Sequence, residues 1–203
     1  MIRFLSTFAA ILLAIPTAPA APRTKEGDRP AAYFPTRVGD RWVYDEGNEK
    51  ESVREVTAVE VKREETIVTV REPGRNATER LAVSAAGVRR LESNGFRLKD
   101  HWLLKLPAKE GDKWDFDYPS QRNEQGRGLR GEKGTVTVGP IEEVEVPAGK
   151  FRAVRLDIEV TSINGVEVPA VQFTSWYAPD VGQVKMTRGT DWTRVLKSFT
   201  PGK

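Results

Sequence analysis

The feature that most constrains this chain is a two-residue rhythm. Val154, Leu156, Ile158 and Val160 alternate with Arg155, Asp157 and Glu159. Successive side chains of a strand point to opposite faces, so this pattern buries one face and wets the other. Asn164-Gly165 follows at once. A type I′ turn needs positive φ at both central positions, which Asn and Gly tolerate best, so the chain should reverse there into Val166-Glu167-Val168. Pro169 has no N–H for a ladder, and the apolar phase shifts across it, from Val166 and Val168 to Val171 and Phe173. A bulge or a sheet edge is expected at that point.

The same logic marks strands over Arg41–Asp45, Val53–Val61, Thr66–Arg71, Phe96–Leu106, Lys113–Tyr118, Thr135–Val146, Gln183–Arg188 and Trp192–Phe199. Pro73-Gly74, Pro147-Ala148-Gly149 and Pro179-Asp180-Val181-Gly182 punctuate them. Hairpin-sized links of this kind predict an antiparallel all-β architecture with little helix, and they exclude a βαβ sheet. Asn76–Leu91 is open to two readings. Leu81, Ala85, Val88 and Leu91 fit a helical face behind Asn76 or Thr78 as N-cap. Leu81 and Val83 also fit a strand turning at Ala86-Gly87, and that hairpin reading is preferred. Residues 119–131 are polar and Gly-rich and read as a mobile loop. No helix follows Arg122, Arg127 and Arg130, so this loop is not a phosphate cradle.

A phrase of eleven residues occurs twice. Pro35-Thr-Arg-Val-Gly39-Asp40-Arg41-Trp42-Val-Tyr44-Asp45 returns as Pro107-Ala-Lys-Glu-Gly111-Asp112-Lys113-Trp114-Asp-Phe116-Asp117, with five identical positions and an offset of 72. Each copy reads as a turn that launches a strand: Gly permits the turn, and Asp can bond the backbone beside it. A looser echo, Pro179-Asp-Val-Gly182, also precedes a strand. Two copies are too few for a solenoid. They predict one curved sheet or half-barrel of about ten strands, built from two related meanders, with both apolar faces turned into one concavity. Trp42 and Tyr44, like Trp114 and Phe116, lie two apart and share a face. A packed core is the commoner fate of such residues. The functional alternative is an aromatic-lined groove for an apolar or sugar ligand, with Trp42, Tyr44, Trp114, Phe116, Phe173 and Trp176 as its candidate residues.

The first segment reads as an export signal. Met1-Ile2-Arg3 gives a positive start, Phe4 to Ile15 is apolar but for Ser6 and Thr7, and Ala18-Pro19-Ala20 is a small-residue cleavage site. Residues 1–20 are therefore expected to be removed, leaving a polar tether over 21–32 and a single β domain over 33–203. No twin-Arg pair precedes the apolar run, so the general secretion route is implied. The expected address is periplasmic or secreted, with no transmembrane segment after cleavage. The 203 residues include no Cys and one His. That excludes disulfide scaffolds, Cys-based metal sites and lipid attachment through Cys. Cleavage leaves 31 basic and 29 acidic side chains, interleaved as in Glu60-Val61-Lys62-Arg63-Glu64-Glu65. This is a solvated mixed surface rather than a nucleic-acid stripe. Aromatics beside basic residues, as in Trp192-Thr-Arg194 and Arg97 to Trp102, could stack single-stranded nucleic acid, but the near-neutral balance and the export signal count against it.

Three phrases together resemble a known family. Tyr33-Phe34-Pro35 with Gly39-Asp40-Arg41-Trp42, Val146-Pro147-Ala148-Gly149-Lys150-Phe151, and Trp176-Tyr177-Ala178-Pro179-Asp180-Val181-Gly182-Gln183-Val184-Lys185 resemble an exported bacterial β-protein family known only as a domain of unknown function. Its members are similar to the half-barrel of periplasmic lipoprotein carriers, a sheet curled around an apolar concavity. The resemblance covers most of the chain after Ala32. It implies that fold and no catalytic residues, and the absence of the lipid-attachment Cys of many relatives implies an untethered protein.

The chemistry-bearing residues give little else. Asp115 and Asp117 share a strand face opposite Trp114, Phe116 and Tyr118, and Glu143 and Glu145 share another. A glycosidase needs two carboxylates converging across a cleft, which neighbours on one wet face do not supply. Asp112, Asp115 and Asp117 miss the calcium-loop spacing, so no metal is expected. His101 stands alone, and no Gly-x-Ser-x-Gly elbow accompanies it. Asn76-Ala77-Thr78 matches a glycosylation acceptor by coincidence. The expectation is a non-catalytic envelope protein without cofactor that binds a hydrophobic ligand, such as a lipid or lipid-linked group. The alternative is a structural or interaction module that binds an envelope protein or a polysaccharide through an exposed face or sheet edge. A hydrolase is the third and weakest reading.

Overall fold

The computed structural model describes residues 32–47, 50–122 and 128–203. The expected signal segment, and all of the tether but Ala32, lie outside the described residues. Two meanders make up the described chain. The first runs through β1 (Arg41–Asp45), β2 (Glu51–Lys62), β3 (Glu65–Glu72), β4 (Ala77–Ser84), β5 (Gly87–Ser93) and β6 (Phe96–Lys105). The second begins with β7 (Lys113–Tyr118). The short β8 (Gln121–Arg122) and β9 (Gly128–Leu129) pair only with each other, within the segment read as a loop. It continues through β10 (Glu132–Val146), β11 (Gly149–Ile163), β12 (Val166–Ala178), β13 (Gly182–Arg188) and β14 (Trp192–Thr200). The helical content among the described residues is one 3-10 turn, Pro73–Arg75.

Local chemistry accounts for these elements. Asn164 and Gly165 have φ of 54° and 78°, the left-handed pair that a type I′ hairpin requires. Around Pro169 the pairing jumps from Val160–Val171 to Ser162–Glu167, so β12 carries two more residues than β11 there. That bulge removes Pro169 from the ladder it cannot join. Asn76–Leu91 forms the β4–β5 hairpin rather than a helix. These two strands account for a sheet of twelve where about ten were expected.

The sheet order is β6-β5-β4-β3-β2-β1-β14-β13-β12-β11-β10-β7, antiparallel throughout. The first strand of one meander thus pairs with the last strand of the other, from Arg41–Thr200 to Asp45–Val195. An approximate two-fold relation between the meanders would place β6 beside β7 in the same way. The sheet does curl until β6 and β7 face each other, which nearly closes it into a barrel. No ladder joins them, however, and this boundary is an open seam.

The repeated phrase builds the same small structure twice. Gly39 N–H donates to Val56 O and Gly111 N–H to Val138 O, both at 2.8 Å. Asp40 N–H donates to Arg37 O and Asp112 N–H to Lys109 O, both at 3.0 Å. Gly39 and Gly111 both have φ of 88°, which strains any residue with a Cβ. The turn thereby sets the register of β1 against β2 and of β7 against β10. The copies differ at the aspartate. The carboxylate of Asp40 also accepts from Gly202 N–H at 2.8 Å, where the chain beyond β14 docks.

The apolar faces of both meanders meet inside. Val56, Val68, Leu81, Val88 and Leu104 come from the first, and Val138, Val154, Leu156, Val184 and Leu196 from the second. Asp115, Asp117, Glu143 and Glu145 lie exposed on the outer face. No helix among the described residues is long and apolar enough to cross a membrane.

Candidate ligand-binding cavity

The packing inside the barrel is incomplete. A cavity of about 190 Å³ remains among residues from both meanders. Four of the residues expected at a binding groove line it: Trp42, Tyr44, Phe116 and Phe173. Trp42 is 2% exposed, and its indole N–H donates to Val181 O at 2.7 Å. Tyr44 is as deeply buried and donates its hydroxyl to Gln183 O at 2.8 Å. Each therefore satisfies its polar atom on the backbone and offers an apolar ring to the interior.

Trp114 and Trp176 are placed elsewhere. Trp114 sits at the seam, with Lys105 Nζ 5.5 Å from its ring centroid. Phe173, Ser175 and Tyr177 line the cavity, so strand parity turns Trp176 outward. There Trp176 donates to Glu142 Oε1 and carries Lys185 Nζ 4.8 Å above its ring. Trp102 and Leu103 of β6 line the cavity instead, although the sequence did not single them out for it.

Both edges of the seam contribute to the wall. His101 comes from β6, and Phe116 and Tyr118 from β7. The His101 ring meets Phe116 at 5.8 Å and Tyr118 at 5.0 Å, edge-on in both cases. Its Nδ1 is buried without a partner. Burial, with Arg90 nearby, pushes His101 down to about 3, so the imidazole is neutral at neutral pH. Tyr118 donates to Glu132 Oε2 at 2.7 Å, and burial with this bond raises its phenol above the ordinary range.

Charge is also buried here. Glu79 of β4 accepts from Arg54 of β2 and lies 2.9 Å from Arg90 of β5. Burial alone would raise the Glu79 carboxyl, but Arg90 and Arg54 outweigh it and hold it low. Burial would likewise lower Arg54, and Glu79 instead raises it. Arg194 of β14 lies with its guanidinium carbon 4.9 Å from the Tyr44 ring centroid. Its Nη2 donates to the Gln183 side-chain oxygen, and Gln183 donates on to Ser175 Oγ. The signal for this group was strand parity. Arg54 shares a face with Val56, and Arg194 with Leu196, so both stand on apolar faces. Among the described residues no group of His, Cys, Asp and Glu is arranged to hold a metal ion.

No family model matches the sequence, and no curated protein matches it. Two solved structures are similar in fold. One is a Bacteroides fragilis protein, named as a candidate exported protein with a YmcC-like fold. It is 13% identical, with a TM-score of 0.48 over 84% of this chain and 99% of that one. The other is a candidate lipoprotein from Parabacteroides distasonis, 14% identical, with a TM-score of 0.49 over the same shares of the two chains.

Proposed function

We propose that this chain is a non-catalytic, exported envelope protein that holds a hydrophobic ligand, a lipid or lipid-linked group, inside its barrel. The observation that carries this reading is the cavity itself. Protein interiors normally close to crystal-like density, and voids larger than a water are few. Here about 190 Å³ stays open behind Trp42, Tyr44, Phe116 and Phe173. It exceeds the ~150 Å³ apolar void that suffices to take up benzene. The export signal over residues 1–20 supports an envelope address, and the absence of Cys supports an untethered protein.

Native mass spectrometry beside organic extraction of the same purified sample tests the reading. A stoichiometric extra mass that extracts as a lipid is expected. A bare mass that does not shift on adding lipids would overturn it. The alternative, an interaction module, is favoured by the two unpaired backbone edges at the seam, since an unpaired edge is a template for another strand. It would show as a co-purifying protein or polysaccharide in that sample.

A further inference from the structure

Three guanidinium groups line the cavity, from Arg54, Arg90 and Arg194. Arg54 and Arg90 share Glu79. The nearby carboxylates Glu46 and Glu72 are both engaged by Arg75. Glu132 is engaged by Arg130 and Tyr118. Arg194 has no carboxylate partner among the described residues. Its Nη2 meets only the neutral Gln183 side chain and, at 3.9 Å, Met186 Sδ. Its Nε is buried with no hydrogen-bond partner.

An arginine cannot shed its charge by deprotonation at physiological pH, so burying one without a carboxylate is unfavourable. Burial does lower Arg194 from the ordinary guanidinium value, whereas Arg54, with Glu79 beside it, is raised. Of the three guanidinium groups at this wall, Arg194 is thus the one with no carboxylate in contact, and the same wall presents aromatic rings.

Building on the reading that the cavity takes an apolar ligand, we propose that this ligand is an amphiphile with an anionic head. A carboxylate or phosphate oxygen accepts from the guanidinium of Arg194, which has no carboxylate partner among the described residues, and the apolar part lies against Trp102, Phe116 and Phe173. A cavity of 190 Å³ encloses the head and the first carbons of a chain. The remainder of a longer chain leaves between β6 and β7.

The test is calorimetric titration of the protein with decanoate, decyl phosphate and 1-decanol. Wild type, Arg194→Met and Arg194→Lys are compared, with circular dichroism confirming that each variant folds. Wild type should bind at least one of the two anions about ten- to hundredfold more tightly than decanol, the range of a buried charge-assisted bond. Arg194→Met should abolish that preference, so that the two anions bind no more tightly than decanol. Arg194→Lys, which keeps the charge but not the planar fork, should retain part of it. The preferred anion identifies the head as carboxylate or phosphate. Should Arg194→Met fail to fold, Arg194→Gln, which keeps a polar side chain without the charge, carries the same prediction. Equal affinity of wild type for anions and decanol would overturn the inference while leaving the apolar reading intact. So would a preference that survives Arg194→Met. If wild type binds none of the three, the apolar reading falls, and this inference with it.

Discussion

Trp114 of β7 donates its indole N–H to the backbone carbonyl of Trp102 on β6, at 3.4 Å. This bond crosses the one boundary in the ring of strands that no ladder closes. Gln121 adds a second side-chain bond across the same gap, to Arg97 O at 3.0 Å. Lys105 lies over both tryptophan rings, 5.8 Å from the centroid of Trp102 and 5.5 Å from that of Trp114. Side chains thus hold the seam where backbone pairing holds every other boundary. Such contacts open more readily than a continuous ladder.

Hydrogen exchange should show this directly. Peptides covering β6 and β7 are expected to exchange faster than those covering β1 and β14, although all four strands bury aromatic or aliphatic side chains. Equal protection at the two boundaries would mean that the seam is closed in solution.

The two repeat tryptophans should respond differently to loss of the indole N–H. Trp42→Phe leaves the carbonyl of Val181 unpartnered in the interior, at about 1–3 kcal/mol. Trp114→Phe removes a long bond at the seam and should cost less than about 1 kcal/mol. Urea unfolding midpoints would decide it, and similar losses for both would contradict the contrast.

The two repeat aspartates offer a parallel test. Asp40 is 2% exposed and accepts from Arg37 N–H at 2.7 Å and Gly202 N–H at 2.8 Å. Asp40→Ala should destabilise by about 1–3 kcal/mol. Asp112 is exposed and accepts from Lys109 N–H alone, at 3.3 Å. Asp112→Ala should stay within about 0.5 kcal/mol. Thermal unfolding of the two variants side by side measures the difference.

His101 should make stability fall with acid well before the carboxylates titrate. Its folded value of about 3 lies below the unfolded 6.5, so the unfolded chain binds the proton first. Stability is then lost as pH drops through 6.5, by about 1.4 kcal/mol per pH unit. Glu79, also held low, adds loss only below its ordinary 4.5. Arg90, Glu79 and Tyr118 are the charged and titratable groups around the imidazole. His101→Phe should flatten the curve from about pH 6.5 to about pH 5. An unchanged slope would show that another group carries the loss.

Much of this fold was legible because its signals are local. Asn164-Gly165 names its own turn, Pro169 its bulge, and Gly39-Asp40 with Gly111-Asp112 the two strand launches. Closure was not legible, since nothing in the residues of β6 or β7 says whether two curling edges will pair. Half of the site was hidden by a rule that is usually right. Charged residues among alternating apolar ones were assigned to the wet face, yet Arg54, Glu79, Arg90 and Arg194 sit on the inner one. Their partners lie on other strands, and only the folded sheet brings Glu79 to Arg54 and Arg90. Trp176 shows the converse. Its type suggested a binding wall, and its odd spacing from Phe173 put it outside.

The pairing of β14 with β1 leaves Gly202 against Gly39, so the segment after β14 lies beside the one that leads into β1. The chain could therefore be circularly permuted with little change of shape. A molecule opened in the 106–112 loop and joined from β14 to β1 would read β7 to β14, then β1 to β6, with the same neighbours in the sheet. What it would lose is the covalent link across the seam. If that link is what lets β6 and β7 do without a ladder, the permuted barrel should hold its shape at every boundary but this one.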